Sequence, residues 1–322
     1  MTRTVSVAGL AARPGTLSVV EAPGSAGSAA ATVILFPGDL STSRAVMQRS
    51  PFLAEWSRWS CEDLALLLAR RWPAYNAVVV HPPRAVDGFS CYDGFLTNLG
   101  ETGDPTAGYD GSGSASAHLL AQLESLSDVC SATSPLHLIG FSKGAVPLNQ
   151  LVAEMGGEGC AADSPAATLR DRVHSIVWLD PGLNHEPGPI LLGSTRTDAA
   201  LLQATARRVR DRTPHPPRLA VALTPYQRQP HGWLSSWAFT WRAWPPIRRE
   251  SSAVAARRRF EGLLRAEGVP VACEDCLMDQ PASLDTHFEV LNAFTAPWDG
   301  HALSHGDAQS VSDTPSCDGA AR

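Results

Sequence analysis

Gly140-Phe141-Ser142-Lys143-Gly144 is the stretch of this sequence whose residue types and spacing most directly suggest chemistry. An apolar run, Leu136 to Ile139, leads into it, and a helical pattern through Leu148, Leu151, Val152 and Met155 follows. A Gly-x-Ser-x-Gly pattern is common by chance. Between a strand and a helix it describes an elbow that lifts a serine hydroxyl out of a tight turn. Glycines at positions 140 and 144 leave room for that turn. The helix behind presents free amides and the positive end of its dipole, so the amide of Lys143 becomes a candidate oxyanion donor. The bland alternative is a serine in an ordinary strand-to-helix turn.

A serine hydroxyl is a poor nucleophile until a base takes its proton, and the base needs an orienting acid. Behind such an elbow the chain order is Ser, acid, His, with the acid just after a later strand. The run Leu219 to Leu223 ends in Thr224-Pro225-Tyr226-Gln227, with no carboxylate before Glu250. The run Ser175 to Leu179 ends in Asp180-Pro181-Gly182, which makes Asp180 the candidate acid against its reading as a turn aspartate. His287 follows the last apolar run, in a loop opening a helix, and is the candidate base; a surface histidine is its competitor. His301 and His305 also satisfy the order but lie in a Gly/Ser/Asp/Ala-rich tail. His231 precedes the last strand, and His185 follows Asp180 closely enough to be a pocket residue only. A second oxyanion donor is expected after an early strand, where Phe36-Pro37-Gly38-Asp39 stands. The amide of Gly38 or Asp39 fits, although an Asp39 carboxylate facing the site opposes a developing negative charge.

These residues need a framework. Ala31 to Phe36, Ala77 to Val80, Leu136 to Ile139, Ser175 to Leu179, Leu219 to Leu223 and Val269 to Ala272 are short apolar runs without alternation, as expected of strands buried on both faces. Thr16 to Glu21 adds an earlier strand. Helices are expected from Ser60 (with Asp63 at the capping-box position), over Ser116–Val129, after the elbow, over Thr197–Arg210 and Ser252–Ala266, and from His287 to Phe294. Alternating strands and helices predict an α/β fold, α/β-hydrolase-like, with a mainly parallel sheet and helices on both faces. Residues 1–30 are expected to hold an N-terminal strand and a flexible loop, 31–294 the hydrolase-like domain, and 295–322 a disordered tail. Phe89 to Gly113 reads as the rim of a cleft rather than core. Trp233, Trp237, Trp241 and Trp244 sit at near-helical spacing, as packing residues or as a lid.

The net charge of -6 and pI near 5.9 speak against a nucleic-acid or anionic-membrane partner. Arg257-Arg258-Arg259 reads as a solvated helix face. The 7 cysteines are scattered, and Cys273-Glu274-Asp275-Cys276 reads as reduced thiols rather than a zinc site. No apolar run reaches the roughly 20 residues that cross a bilayer. Met1 to Arg13 has two arginines and no acid, compatible with a transit peptide or with a first strand.

Together, Phe36-Pro37-Gly38-Asp39, Trp59-Ser60, Phe89-Ser90-Cys91-Tyr92-Asp93, the elbow with Leu148-Asn149-Gln150, Trp178-Leu179-Asp180, Thr224-Pro225-Tyr226-Gln227 and His287-Phe288 make the chain resemble a known family. It is the family of a human chromosome-2 open-reading-frame mitochondrial protein. The resemblance runs from near residue 33 to near 294. It implies a hydrolase fold and a mitochondrial location, the alternative being cytoplasmic, and supplies no substrate. A looser likeness to lipid-droplet-associated hydrolases suggests an acyl ester of a lipid. The expectation is a serine hydrolase of an ester or thioester, acting on a small-molecule or lipid acyl substrate with no metal or organic cofactor. The rival is a catalytically silent relative that binds a partner or ligand. A dehydrogenase-like nucleotide binder ranks last, for want of a glycine fingerprint after its first strand.

Overall fold

A computed structural model of the chain describes residues 2–9, 14–23, 29–106, 109, 112–157, 161–181, 207, 211, 216–228 and 252–299. Among the described residues ten strands are formed: β1 (Arg3–Val7), β2 (Gly15–Val20), β3 (Ala31–Phe36), β4 (Tyr75–Val80), β5 (Arg84–Val86), β6 (Phe89–Cys91), β7 (Leu136–Phe141), β8 (Val173–Leu179), β9 (Arg218–Leu223) and β10 (Val271–Asp275). Eight of them make one sheet in the order β1-β2-β4-β3-β7-β8-β9-β10. Only β2 runs against the rest, pairing antiparallel with β1 and β4 while every other neighbour is parallel. This is the α/β-hydrolase sheet. Its strand order reverses at β3, from which the chain first steps outward to β4 and later returns to lay β7 on β3's other side. The crevice beyond the carboxyl ends of β3 and β7 is therefore where a ligand is expected in an open parallel sheet.

The apolar runs are explained by burial on both faces. All six residues of β3 and all six of β7 are buried. Ile34, Phe36, Leu136 and Leu138 face one core, and Val33, Leu35, Ile139 and Phe141 face the other. Helices α3 (Ser114–Glu124), α4 (Ala145–Gly156), α5 (Pro165–Arg172) and the later Ser252–Ala266 helix cover the first core through Leu119, Leu148, Leu169 and Phe260. Helices α1 (Arg44–Arg49) and α2 (Cys61–Arg71) cover the second through Met47, Leu64 and Leu68, joined by Phe288 and Leu291 of the last helix. With α6 (Pro225–Arg228), these last two are α7 (Ser252–Ala266) and α8 (Leu284–Ala293). Ser60 caps α2 as the sequence predicts, accepting from the Asp63 amide at 3.2 Å while its hydroxyl donates to the Asp63 carboxylate at 2.6 Å.

Four expectations need correction. Phe89 to Gly113 is not only a rim: β6 pairs with β5 in a hairpin, and Cys91, Tyr92, Phe95 and Leu96 are buried, with Phe95 edge-on to Phe36 at 5.2 Å. The hairpin turn is Asp87-Gly88, both at positive φ (50° and 87°), a dipeptide suited to a two-residue hairpin turn. The last strand lies at Val271–Asp275, shifted toward the carboxyl terminus from the expected Val269–Ala272. His287 is not in a loop but in the first turns of α8, whose cap is Ser283. Residues 295–299 are docked rather than tail-like: Trp72 donates its indole N–H to Asp299 at 2.6 Å, and Trp298 stacks on His137 with ring centres 4.3 Å apart. The expected helix over Thr197–Arg210 (apart from Arg207), the tryptophan cluster, His185, His231, His301 and His305 lie outside the described residues.

Candidate active site

Ser142 follows β7 directly and opens a short 3₁₀ turn leading into α4. Its φ of 52° is left-handed, a conformation a serine adopts only where its surroundings impose it. Those surroundings are close. A Cβ on Gly144 would lie 1.9 Å from the Phe36 carbonyl oxygen, and one on Gly38 would lie 2.5 Å from Ser142 Cβ and 3.1 Å from its Oγ. The two glycines thus let the loop after β3 and the start of α4 press against each other around the serine.

Asp180 directly follows β8, and its side chain is fully buried. Its amide donates to the Ala222 carbonyl at 2.8 Å. The carboxylate accepts from the Thr224 amide at 2.6 Å, from the Thr224 hydroxyl, and lies 2.8 Å from Nδ1 of His287. The Gln227 side-chain amide donates to the Asp180 carbonyl at 3.3 Å. Thr224-Pro225-Tyr226-Gln227, which has no carboxylate of its own, thus holds the one that follows the neighbouring strand. The imidazole, 5% exposed, packs between Phe141 and Tyr226, with ring centres 4.7 and 4.5 Å away. Burial pushes the Tyr226 phenol well above its usual range, so this wall stays neutral. No hydrogen bond joins Ser142 Oγ to the imidazole. His287 and Asp180 are brought into contact, and the serine stands one residue from the ring's packing partner.

The loop expected to supply the second oxyanion donor is tied down by the hairpin. Tyr92 donates its hydroxyl to the Pro37 carbonyl at 2.6 Å, and Ser90 donates its hydroxyl to the Gly38 carbonyl at 2.9 Å. The Ser90 amide donates to Asp39 Oδ1 at 2.8 Å, so the carboxylate leans toward the hairpin. Lys143, only 8% exposed, pairs with Asp104, a partner nothing in the sequence suggests. Burial pushes the Asp39 carboxyl up to about 6, with Lys143 and then the Ser90 amide pulling against it; Asp104 raises it further, and His287 lowers it.

A stability prediction follows. Between its usual 3.8 and about 6, folded Asp39 keeps a proton that the unfolded chain has already lost. Stability should therefore fall as pH rises through that window, by at most about 3 kcal/mol. Asp39→Asn should be more stable than the parent above pH 6, with the gap closing toward pH 4. Urea melts at pH 4.5 and 7.5 check this, and a gap independent of pH would contradict it.

The residues that sequence reasoning left without a role are Ser90, Tyr92, Thr224, Gln227 and Tyr226. All lie in stretches that carried the family resemblance, but their contacts span 44 to 61 positions and leave no periodic trace. Cys273 and Cys276 are free thiols in and just after β10. Among the described residues, no group of three or more His, Cys, Asp or Glu side chains is arranged to hold a metal ion, and no helix is long and apolar enough to cross a membrane.

Comparison with known proteins adds the following. The profile of the C2orf69 family matches residues 3–134 and 127–208. The mitochondrial protein C2orf69 homolog of Danio rerio is 32% identical over 283 residues, covering 81% of this chain and 72% of that protein. The Mus musculus homolog is 25% identical over 317 residues, covering 81% and 77%. Among solved structures, the siderophore hydrolase EstB from Aspergillus nidulans aligns with a TM-score of 0.49 at 13% identity, covering 90% of this chain and 93% of that one.

Proposed function

The chain belongs to the C2orf69 family, and from that premise and the site geometry we propose that it is a serine hydrolase of an ester or thioester, lipid acyl groups included. The observation that carries the reading is the buried Asp180 carboxylate 2.8 Å from His287 Nδ1, beside an elbow whose serine has a φ of 52°. In this reading His287 Nε2 takes the Ser142 proton as Oγ attacks the acyl carbon, and Asp180 stabilises the imidazolium. The amides of Lys143 and of Gly38 or Asp39 hold the oxyanion. The imidazolium returns its proton to the departing alcohol or thiol. Water, activated by the same base, then releases the acid from Ser142. No metal or organic cofactor takes part. The relatives' names speak of mitochondria, and we assign the activity to that compartment.

Asp39 favours a second reading, a hydrolase-like protein that binds a ligand or partner without turnover. An ionised carboxylate in the oxyanion loop works against the transition state. A fluorophosphonate separates the two, because only an activated serine attacks phosphorus quickly. Wild type should label and Ser142→Ala should not. An unlabelled, folded wild type that also leaves short and long acyl esters and thioesters intact would give the binding reading the site. Labelling that persists in Ser142→Ala would mean that another residue is the nucleophile.

A further inference from the structure

The opposite edge of the sheet carries a cavity. It has a volume of about 710 Å³ and is lined at the amino ends of the parallel strands, by Ala31 of β3, His137 of β7, His174 of β8 and Arg218 of β9. Ser142 and Asp180 lie at the carboxyl ends of β7 and β8, so the strands separate the two sites. The volume falls in the range of about 300–1,000 Å³ that encloses small organic ligands.

Its wall has a defined chemistry. Tyr75, His137 and Trp298 form a pile of flat rings, with His137 stacked 5.4 Å from Tyr75 and 4.3 Å from Trp298. His137 Nδ1 is engaged by the Ser175 hydroxyl at 2.6 Å. The indole N–H of Trp298 is buried and has no hydrogen-bond partner. That N–H is closed off from the cavity, so the indole offers the cavity its ring rather than its donor. Arg218 gives one N–H to the Pro297 carbonyl at 2.6 Å, out of the five donors of its fork. Among the described residues the lining contains no Asp or Glu. Burial first, then His174 and Arg218, hold the His137 ring down at about 4.

We propose that this cavity binds a small organic anion with a flat ring, its phosphate or carboxylate meeting Arg218 and its ring lying against Trp298. A guanidinium fork selects oxyanions, and stacking adds an apolar anchor that a bare inorganic ion lacks. The cavity is independent of Ser142 chemistry, so the inference stands whether or not the protein turns over esters.

The test uses the full chain with 1-naphthyl phosphate, 1-naphthoate, neutral 1-naphthol and inorganic phosphate, titrated by calorimetry, with hydrogen exchange to locate the bound probe. At least one naphthyl anion should bind saturably, about tenfold or more tighter than 1-naphthol or inorganic phosphate. It should slow exchange at residues 136–137, 174–175 and 268–269. Arg218→Ala should weaken it about tenfold or more, the scale of a lost charge-assisted hydrogen bond. Arg218→Lys, which keeps the charge but not the fork, should lose less. The wild-type exchange map needs no variant, so a poorly folded Arg218→Ala does not blunt the test. The proposal is overturned if neither anion saturates the wild type, if protection falls at residues 38–39 and 142–145 instead, or if a folded Arg218→Ala binds as tightly as the parent.

Discussion

Asp180→Asn is expected to give a folded protein whose Ser142 reacts with a fluorophosphonate about 10⁴-fold more slowly than the parent. The backbone at position 180 has a φ of 41°, which asparagine tolerates about as well as aspartate. Asparagine keeps one oxygen, enough to accept from the Thr224 amide as Oδ1 does at 2.6 Å. Its amide group then faces the Thr224 hydroxyl and His287 Nδ1, where Oδ2 now lies at 2.8 Å from the ring. An N–H donor in that place turns the imidazole to the tautomer protonated on Nε2, which cannot take the serine's proton. The hydroxyl of Thr224 can rotate to accept, so the stability loss should stay within about 1–3 kcal/mol. His287→Ala should be at least as damaging to labelling. A folded Asp180→Asn that labels within tenfold of the parent would remove Asp180 from the orienting role. The fluorophosphonate rate at fixed pH is the measurement.

Gly144→Ala is expected to cost about 4 kcal/mol or more, beyond the usual 1–3 kcal/mol of overpacking. The added Cβ would lie 1.9 Å from the Phe36 carbonyl oxygen and 2.5 Å from its carbon. Both are backbone atoms at the end of β3, a fully buried strand paired on both sides, so neither can yield cheaply. Gly140→Ala should be milder. Its Cβ would meet Leu148 Cδ2 at 2.8 Å and the Gly144 carbonyl oxygen at 2.9 Å, and the first of these is the flexible end of a side chain. Lys143→Ala, which looks harmless if only the backbone amide matters, loses a nearly buried ion pair with Asp104. Asp104 is 30% exposed on its side chain and can be hydrated, so the expected loss is about 1 kcal/mol. Denaturant midpoints should therefore rank parent, Lys143→Ala, Gly140→Ala, Gly144→Ala from most to least stable. A Gly144→Ala variant within about 1 kcal/mol of the parent would mean that the elbow and the loop after β3 are not held in contact.

The sequence by itself determined what is contiguous. Ala31–Phe36 matches its strand because a run buried on both faces needs no partner to be recognised. The elbow was legible for the same reason: strand, serine, glycine and helix are neighbours in the chain. Asp180 was reached by elimination, from the missing carboxylate after Leu223. Asp87-Gly88 carried a hairpin signal that a reading by hydrophobic periodicity passed over. Only the tertiary structure decided the rest. His287 meets Asp180 across 107 positions, Lys143 meets Asp104 across 39, and Tyr92 meets Pro37 across 55. Such contacts depend on strand order and on the direction in which each loop leaves the sheet, and neither quantity leaves a period in the sequence. The cavity at the amino edge has the same origin. Tyr75, His137, Arg218 and Trp298 become neighbours because β4, β7 and β9 begin at one edge of the sheet, which the segment after α8 also reaches. Local propensity can specify a strand and a turn; which distant side chains share a pocket is set by how the whole sheet packs.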